Sequence, residues 1–320
     1  MSVTDPNNRP GGPNLIVTCK SANSVQFFDA ATLALQSIVE MPGSTHEMVL
    51  SADNSTIFAS IYGGGIFGKN TGPDRRIAVI DLRSRSLIGT IDVDGDLAPH
   101  SVMLDKDGML WATAEMGNAI LVIDPETDAV QRINVGGSPH WLAISHQTGK
   151  VFGSFKATGH AVVVDLASRA PVAKLDIPHR AEGLAVTPDG ETLFVCAHER
   201  GEFHEFDTRT HQLRRTIQIE GAPGTTNQLR RVRVSPDGRY VLVSSHVDNF
   251  AAVYEADGLK QIAAIETEKA PMGFGFAPDG VHAYLCCHDA AQVLVFEIAT
   301  GRITGRFDTD AGCEFIVSYN

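Results

Sequence analysis

With two tryptophans and five tyrosines in 320 residues, the chain is poor in the aromatic platforms on which sugars and bases stack. Basic residues are also few, 26 Lys and Arg against 38 Asp and Glu, and the net charge is -12. Phosphate recognition needs clustered cations, so neither nucleic acid nor an anionic membrane surface is an expected partner. No apolar stretch approaches the roughly 18 residues of a spanning helix. The opening MSVTDPNNRPGGPN lacks the basic and apolar regions of a signal peptide. Cysteines are five, an odd number, without the spacing of a disulfide scaffold. Most lie in apolar, strand-like runs and read as reduced thiols, which points to the cytoplasm; a precursor already relieved of its signal would read the same way. A sustained helical period is missing throughout.

What is present is a repeat. LAVTPDGETLFVCAHE (184–199) is echoed by VRVSPDGRYVLVSSHV (232–247) and GFAPDGVHAYLCCHD (275–289), with weaker echoes from residues 48, 102 and 142. Each unit holds an apolar strand, a tight turn and a second apolar strand. A third strand ending in an acid follows, as in ILVIDPETDAV, and then a fourth rich in Thr, Ile and Val. Pro-Asp-Gly supplies the turn chemistry and the β-branched runs supply the strands. Four short strands every 40–45 residues or so predict a β-propeller. First strands near residues 46, 100, 140, 182, 230, 272 and 314 give seven blades. The last lacks its three followers, whereas the chain begins with three strands lacking a first. Residues 14–41 are therefore expected to pair with 312–319 and close the ring, removing its open edges. One propeller domain over 14–320, preceded by a flexible tail at 1–13, is the expected organisation.

These units resemble the YVTN-type propeller repeats, part of the superfamily that includes lactonase-like propellers and streptogramin B lyases. The resemblance covers nearly the whole chain from about residue 14. It implies the fold, together with ester opening or elimination as reaction classes. It transfers no individual catalytic residue, because no linear motif beyond the blade repeat is shared.

In a propeller, the loops entering first strands and leaving second strands share the face around the channel mouth. Aligning first strands gives His46, His100, His140, Glu182, Arg230, Met272 and Cys313, with Glu314 as the alternative in the last. Aligning second-strand exits gives Lys20, Tyr62, Glu115, Lys156, His198, His246 and His288. Imidazoles from consecutive blades, beside a carboxylate, are the donors of divalent transition-metal sites. His46, His100, His140 and Glu182 are thus the expected metal ligands, of a metal whose identity stays open. A histidine in that place equally suits a plain structural role, bonding the next blade's backbone and capping the channel. His246 and His288 are expected to move protons, and Arg230 to hold negative charge. Lys20, Tyr62, Glu115, Lys156, His198 and Arg231 complete the expected substrate contacts, although Arg230 and Arg231 could instead form salt bridges with Glu182.

Three motifs promise more than they deliver. GGGIFGKNTGPDRR (63–76) contains Gly-x4-Gly-Lys, but Asn70 stands where a phosphate loop needs Ser or Thr, and Thr-Gly-Pro forbids the following helix. It reads as an insertion on the site face, either a flap carrying Ile66 and Phe67 or a loop without a role. His204 belongs to a third strand and need not share a site with His198. Of Cys286 and Cys287, at most one can point with His288, since strand neighbours face opposite ways.

The function these residues predict is a metal-dependent lyase or lactone and ester hydrolase. Its substrate would be a small, oxygen-rich, anionic molecule at the channel mouth. A non-catalytic ligand- or protein-binding propeller with structural histidines is the alternative. A metal-dependent oxygenase or oxidase is a second. Oligomeric state is not legible.

Overall fold

Short, near-continuous apolar strands, joined by Asp-Gly or Asn turns and edged by an outer strand that alternates, build four-stranded antiparallel sheets, and seven of them surround a central channel. The computed structural model describes residues 14–65, 69–93, 95, 97–220 and 228–319. The expected tail and the Ile66–Phe67 flap tip lie outside the described residues. Innermost strands are Thr45–Leu50, Pro99–Leu104, Leu142–Ser145, Ala181–Val186, Leu229–Val234, Pro271–Phe276 and Cys313–Tyr319. They define blades 1 to 7 in that order. Blade 7 joins Cys313–Tyr319 to Asn14–Cys19, Ser24–Asp29 and Leu35–Glu40, so the two ends of the chain close one sheet as expected. Among the described residues no helix is long and apolar enough to cross a membrane.

Packing lies between blades. Trp111, Ile120, Leu142, Val151 and Phe155 fill one such layer, and Phe194, Phe203, Phe250 and Tyr254 fill another. Each buried side chain of this size contributes about 1.5–3 kcal/mol. The acids ending the third strands work locally. Asp29, Asp81, Asp124, Asp165 and Asp207 accept backbone N–H groups of the turns leading to the outer strands. Asp81 supplies this acid in blade 1, where the insertion hid it from the repeat. The insertion itself is largely a longer hairpin: Thr56–Gly64 and Gly72–Asp81 pair beyond their counterparts in other blades. Gly63 sits at φ +93°, and a Cβ there would lie 2.2 Å from the Gly72 carbonyl oxygen.

Candidate functional site

The inner strands break register where the first-strand residues sit. Pairing shifts between Thr45 and Met48, Pro99 and Val102, Ala181 and Leu184, Leu229 and Arg231, and Pro271 and Phe274. Such bulges re-aim side chains, and here they turn successive residues toward the channel. A second device fixes the backbone. Thr18, Ser60, Thr113, Ser154 and Ser244 donate their hydroxyls to the carbonyls of His46, His100, His140, Glu182 and Met272 in the next blade. All five donors are fully buried. These straps were missed in the sequence, although each stands two residues before a second-strand exit, a spacing the alignment already contained. Cys196 and Cys286 occupy that position in the other two blades.

Most residues of the two predicted rings, though not Glu115, line one cavity of about 590 Å³. Its lining includes His46, His100, His140, Glu182, Arg230 and Met272 from the first strands, and Lys20, Tyr62, Lys156, His198, His246 and His288 from the exits. Glu314, not Cys313, faces it in blade 7; Cys313 is buried in the interblade core.

The three inner histidines form a column. His100 lies between His46 and His140, with ring centroids 4.0 and 3.9 Å away. The outer two face carboxylates through both nitrogens. His46 Nδ1 is 3.2 Å from Glu47 and its Nε2 is 2.9 Å from Glu314. His140 Nδ1 is 2.9 Å from Glu115 and its Nε2 is 3.2 Å from Glu182. Tyr62 donates its hydroxyl to the other Glu115 oxygen at 2.7 Å. The hydroxyl straps satisfy backbone carbonyls at these positions, and the rings of His46 and His140 meet carboxylates.

Charge is finely distributed. Burial, reinforced by His140 and His46, holds His100 neutral, far below the ordinary histidine range. Burial alone would raise the Glu182 carboxyl, but Lys156, His140 and Arg230 overcome it and keep it ionised. Lys156 Nζ lies 2.8 Å from Glu182, and Arg230 and Arg231 lie 3.5 and 3.6 Å from it. Glu314 is likewise held down against burial by His46 and Lys20. His198 and His246 are pushed down to about 4, chiefly by burial.

Two donor groups have ligand atoms close enough to share an ion: His100, Glu115 and His140, and separately His46, Glu47 and Glu314. This regroups the predicted set. Glu182 belongs to neither group; its oxygens are shared among His140, Lys156 and the arginines. Glu115, expected to contact substrate, is the carboxylate beside His100 and His140. Glu47 and Glu314 carry no histidine-like signal of their own and were missed or held only as an alternative.

A seven-bladed propeller with one deep, ionisable channel mouth is the class these features define. More particularly, the chain resembles lactonase-like propellers, a likeness found over part of its length. The family model described as "Lactonase, 7-bladed beta-propeller" matches residues 184–312. A 6-phosphogluconolactonase from an Enterobacter species is 25% identical over 238 residues, 68% of this chain and 71% of that protein. Antigen Lp49 of Leptospira interrogans is 24% identical over 269 residues, 78% of this chain, which spans only 56% of the antigen's length. Among solved structures, Kuenenia stuttgartiensis hydrazine synthase superposes with a TM-score of 0.75 at 17% identity, covering 88% of this chain and 91% of that one. A Desulfotomaculum acetoxidans protein of unknown function gives the same score at 14% identity, covering 94% and 98%. At such identities the structural matches speak to the fold alone.

Proposed function

We propose that this chain hydrolyses a small anionic lactone or ester at the channel mouth, with a divalent transition metal held among the inner histidines. One observation carries the reading. Nitrogens of His100, His246 and Arg230, side chains that line a single cavity, are buried and have no hydrogen-bond partner in the protein. Unpaired buried polar groups are costly, and a ligand rich in oxygen would satisfy them. The lactonase relative favours hydrolysis over elimination.

The donor chemistry fits a metal. His100, His140 and Glu115 offer two imidazoles and one carboxylate, and His100 Nδ1 is otherwise unpartnered. When bound, the ion supplies Lewis-acid polarisation of a carbonyl. Charge then favours an anion. The four carboxylates of Glu47, Glu115, Glu182 and Glu314 are matched by Lys20, Lys156, Arg230 and Arg231, so an added cation leaves the pocket positive.

The remaining residues divide the work. Arg230, a fifth exposed and directed to the cavity, receives the substrate's anionic group. His288 is oriented by Asp289, 2.8 Å from its Nδ1. It takes a proton from the attacking water as the water oxygen bonds the carbonyl carbon. The ester C–O bond breaks, and the same proton returns to the departing alkoxide, giving a hydroxy acid. His246 is neutral at pH 7 and contributes a further polar contact, its base strength rising as a bound anion offsets Arg230.

The test is elemental analysis of protein purified without added metal, paired with a panel of anionic lactones. About one divalent ion per chain is expected, lost in His100→Ala and His140→Ala variants that remain folded, with hydrolysis abolished by chelation. Iron together with oxygen consumption would favour the oxygenase alternative. Absence of metal and of turnover under every added divalent ion would leave a binding propeller.

A further inference from the structure

Arg231 was expected among the substrate contacts, yet its side chain is only 2% exposed. It leaves the inner strand of blade 5 and reaches three other blades. Its guanidinium stacks on Trp141 of blade 3, 4.3 Å from the ring centroid. One terminal nitrogen is 3.3 Å from Glu47 Oε1 of blade 1, and the other is 3.6 Å from Glu182 Oε1 of blade 4. Those two oxygens are the same ones that face His46 Nδ1 and His140 Nε2, each at 3.2 Å.

From this shared use of two oxygens we infer that Arg231 is a positioning residue spanning the channel: it fixes Glu47 and Glu182 so that each orients the histidine beside it. Burying a cation for packing alone gains little, since an apolar side chain of similar size does as well. A guanidinium does what an apolar group and a lysine cannot. Its planar fork serves two carboxylates at once while its face rests on an indole. Two glycines make room for this layer. The equivalent positions in blades 4 and 6 are Gly183 and Gly273; a Cβ on Gly183 would lie 2.7 Å from the Arg230 carbonyl oxygen. Arg231 thereby couples two histidines contributed by blades 1 and 3. The inference stands on the channel geometry and does not depend on which substrate is used.

Ring-nitrogen NMR of histidine-labelled protein tests it, applied to Arg231→Lys, Arg231→Met and Glu47→Gln. Both arginine variants are expected to move the His46 and His140 signals together while leaving those of His160 and His282 in place. Glu47→Gln is expected to move His46 and spare His140. Lactone turnover should fall about 10- to 100-fold in Arg231→Lys with KM changed less, the usual scale for losing a group that orients a histidine. Should Arg231→Met not fold, Arg231→Lys and Glu47→Gln decide the matter. Unmoved His46 and His140 signals in folded Arg231→Lys, or full rescue by lysine, would overturn the inference. If the hydrolase reading itself fails, the turnover arm disappears and the ring-nitrogen arm still answers.

Discussion

At the scale of residues, the channel mouth is a set of ionisable groups whose state is set by burial and by one another. His198 and His246 are the simplest case. Unfolded, each gains a proton near pH 6.5; folded, neither does so until about pH 4. Between those values the unfolded chain binds more protons. The stabilising contribution of the neutral rings is therefore complete above pH 6.5 and lost as pH falls toward 4. Unfolding free energies from denaturant titrations at pH 7 down to 4.5 should decline, by about 1–3 kcal/mol per histidine once solvent screening is allowed for. A His198→Asn, His246→Asn protein should show a shallower decline; identical slopes would contradict the assignment. Much of this scale was legible beforehand. Aligning blades put His46, His100, His140, Glu182, His246 and His288 on one face, and they do line one cavity. Partner choice was not legible. Glu115 shares the close donor group of His100 and His140, while Glu182 is divided among His140, Lys156 and two arginines, and a linear alignment gives no distances across a channel.

At the scale of elements, bulges and hydroxyl straps hold the ring residues. The repeat announced the strands, the turns and even the acid closing the third strand in every blade but the one with the insertion. It concealed the bulges, since a register slip leaves no residue-type signature in an apolar strand. Glycine marks where blades approach closely. A Cβ on Gly273 would fall 2.3 Å from the carbonyl oxygen of Glu314. Gly273→Ala must push blades 6 and 7 apart at the ring-closing blade, and should cost about 1–3 kcal/mol, the range for overpacking. Equilibrium unfolding checks this. Gly95→Ala is an unsuitable control, because that glycine is at φ +82°; Gly89→Ala has no neighbour within 4 Å and should be near neutral.

At the scale of the whole molecule, closure by Cys313–Tyr319 against Asn14–Cys19 both seals the ring and delivers Glu314 and Lys20 to the cavity. Removing residues 313–320 would expose the edge of Asn14–Cys19 and strip His46 of one of its two carboxylates. The truncated chain should self-associate on size exclusion and lose cooperative melting. A monomer melting like the intact chain would show that closure is dispensable. The closure was legible because both chain ends carry incomplete blades, whereas activity was not, because propeller blades recur with unrelated chemistry.

The central claim is that this mouth opens small anionic lactones, and initial-rate hydrolysis at constant pH tests it most directly. An aldonolactone bearing a carboxylate or phosphate would be followed at pH 7 with the intact protein and with Arg230→Met. Hydrolysis well above the spontaneous rate is expected. KM should rise about tenfold or more in the variant, the loss of one charge-assisted hydrogen bond. A rate no faster than buffer for every anionic lactone, or an Arg230→Met protein indistinguishable from the intact one, would contradict it.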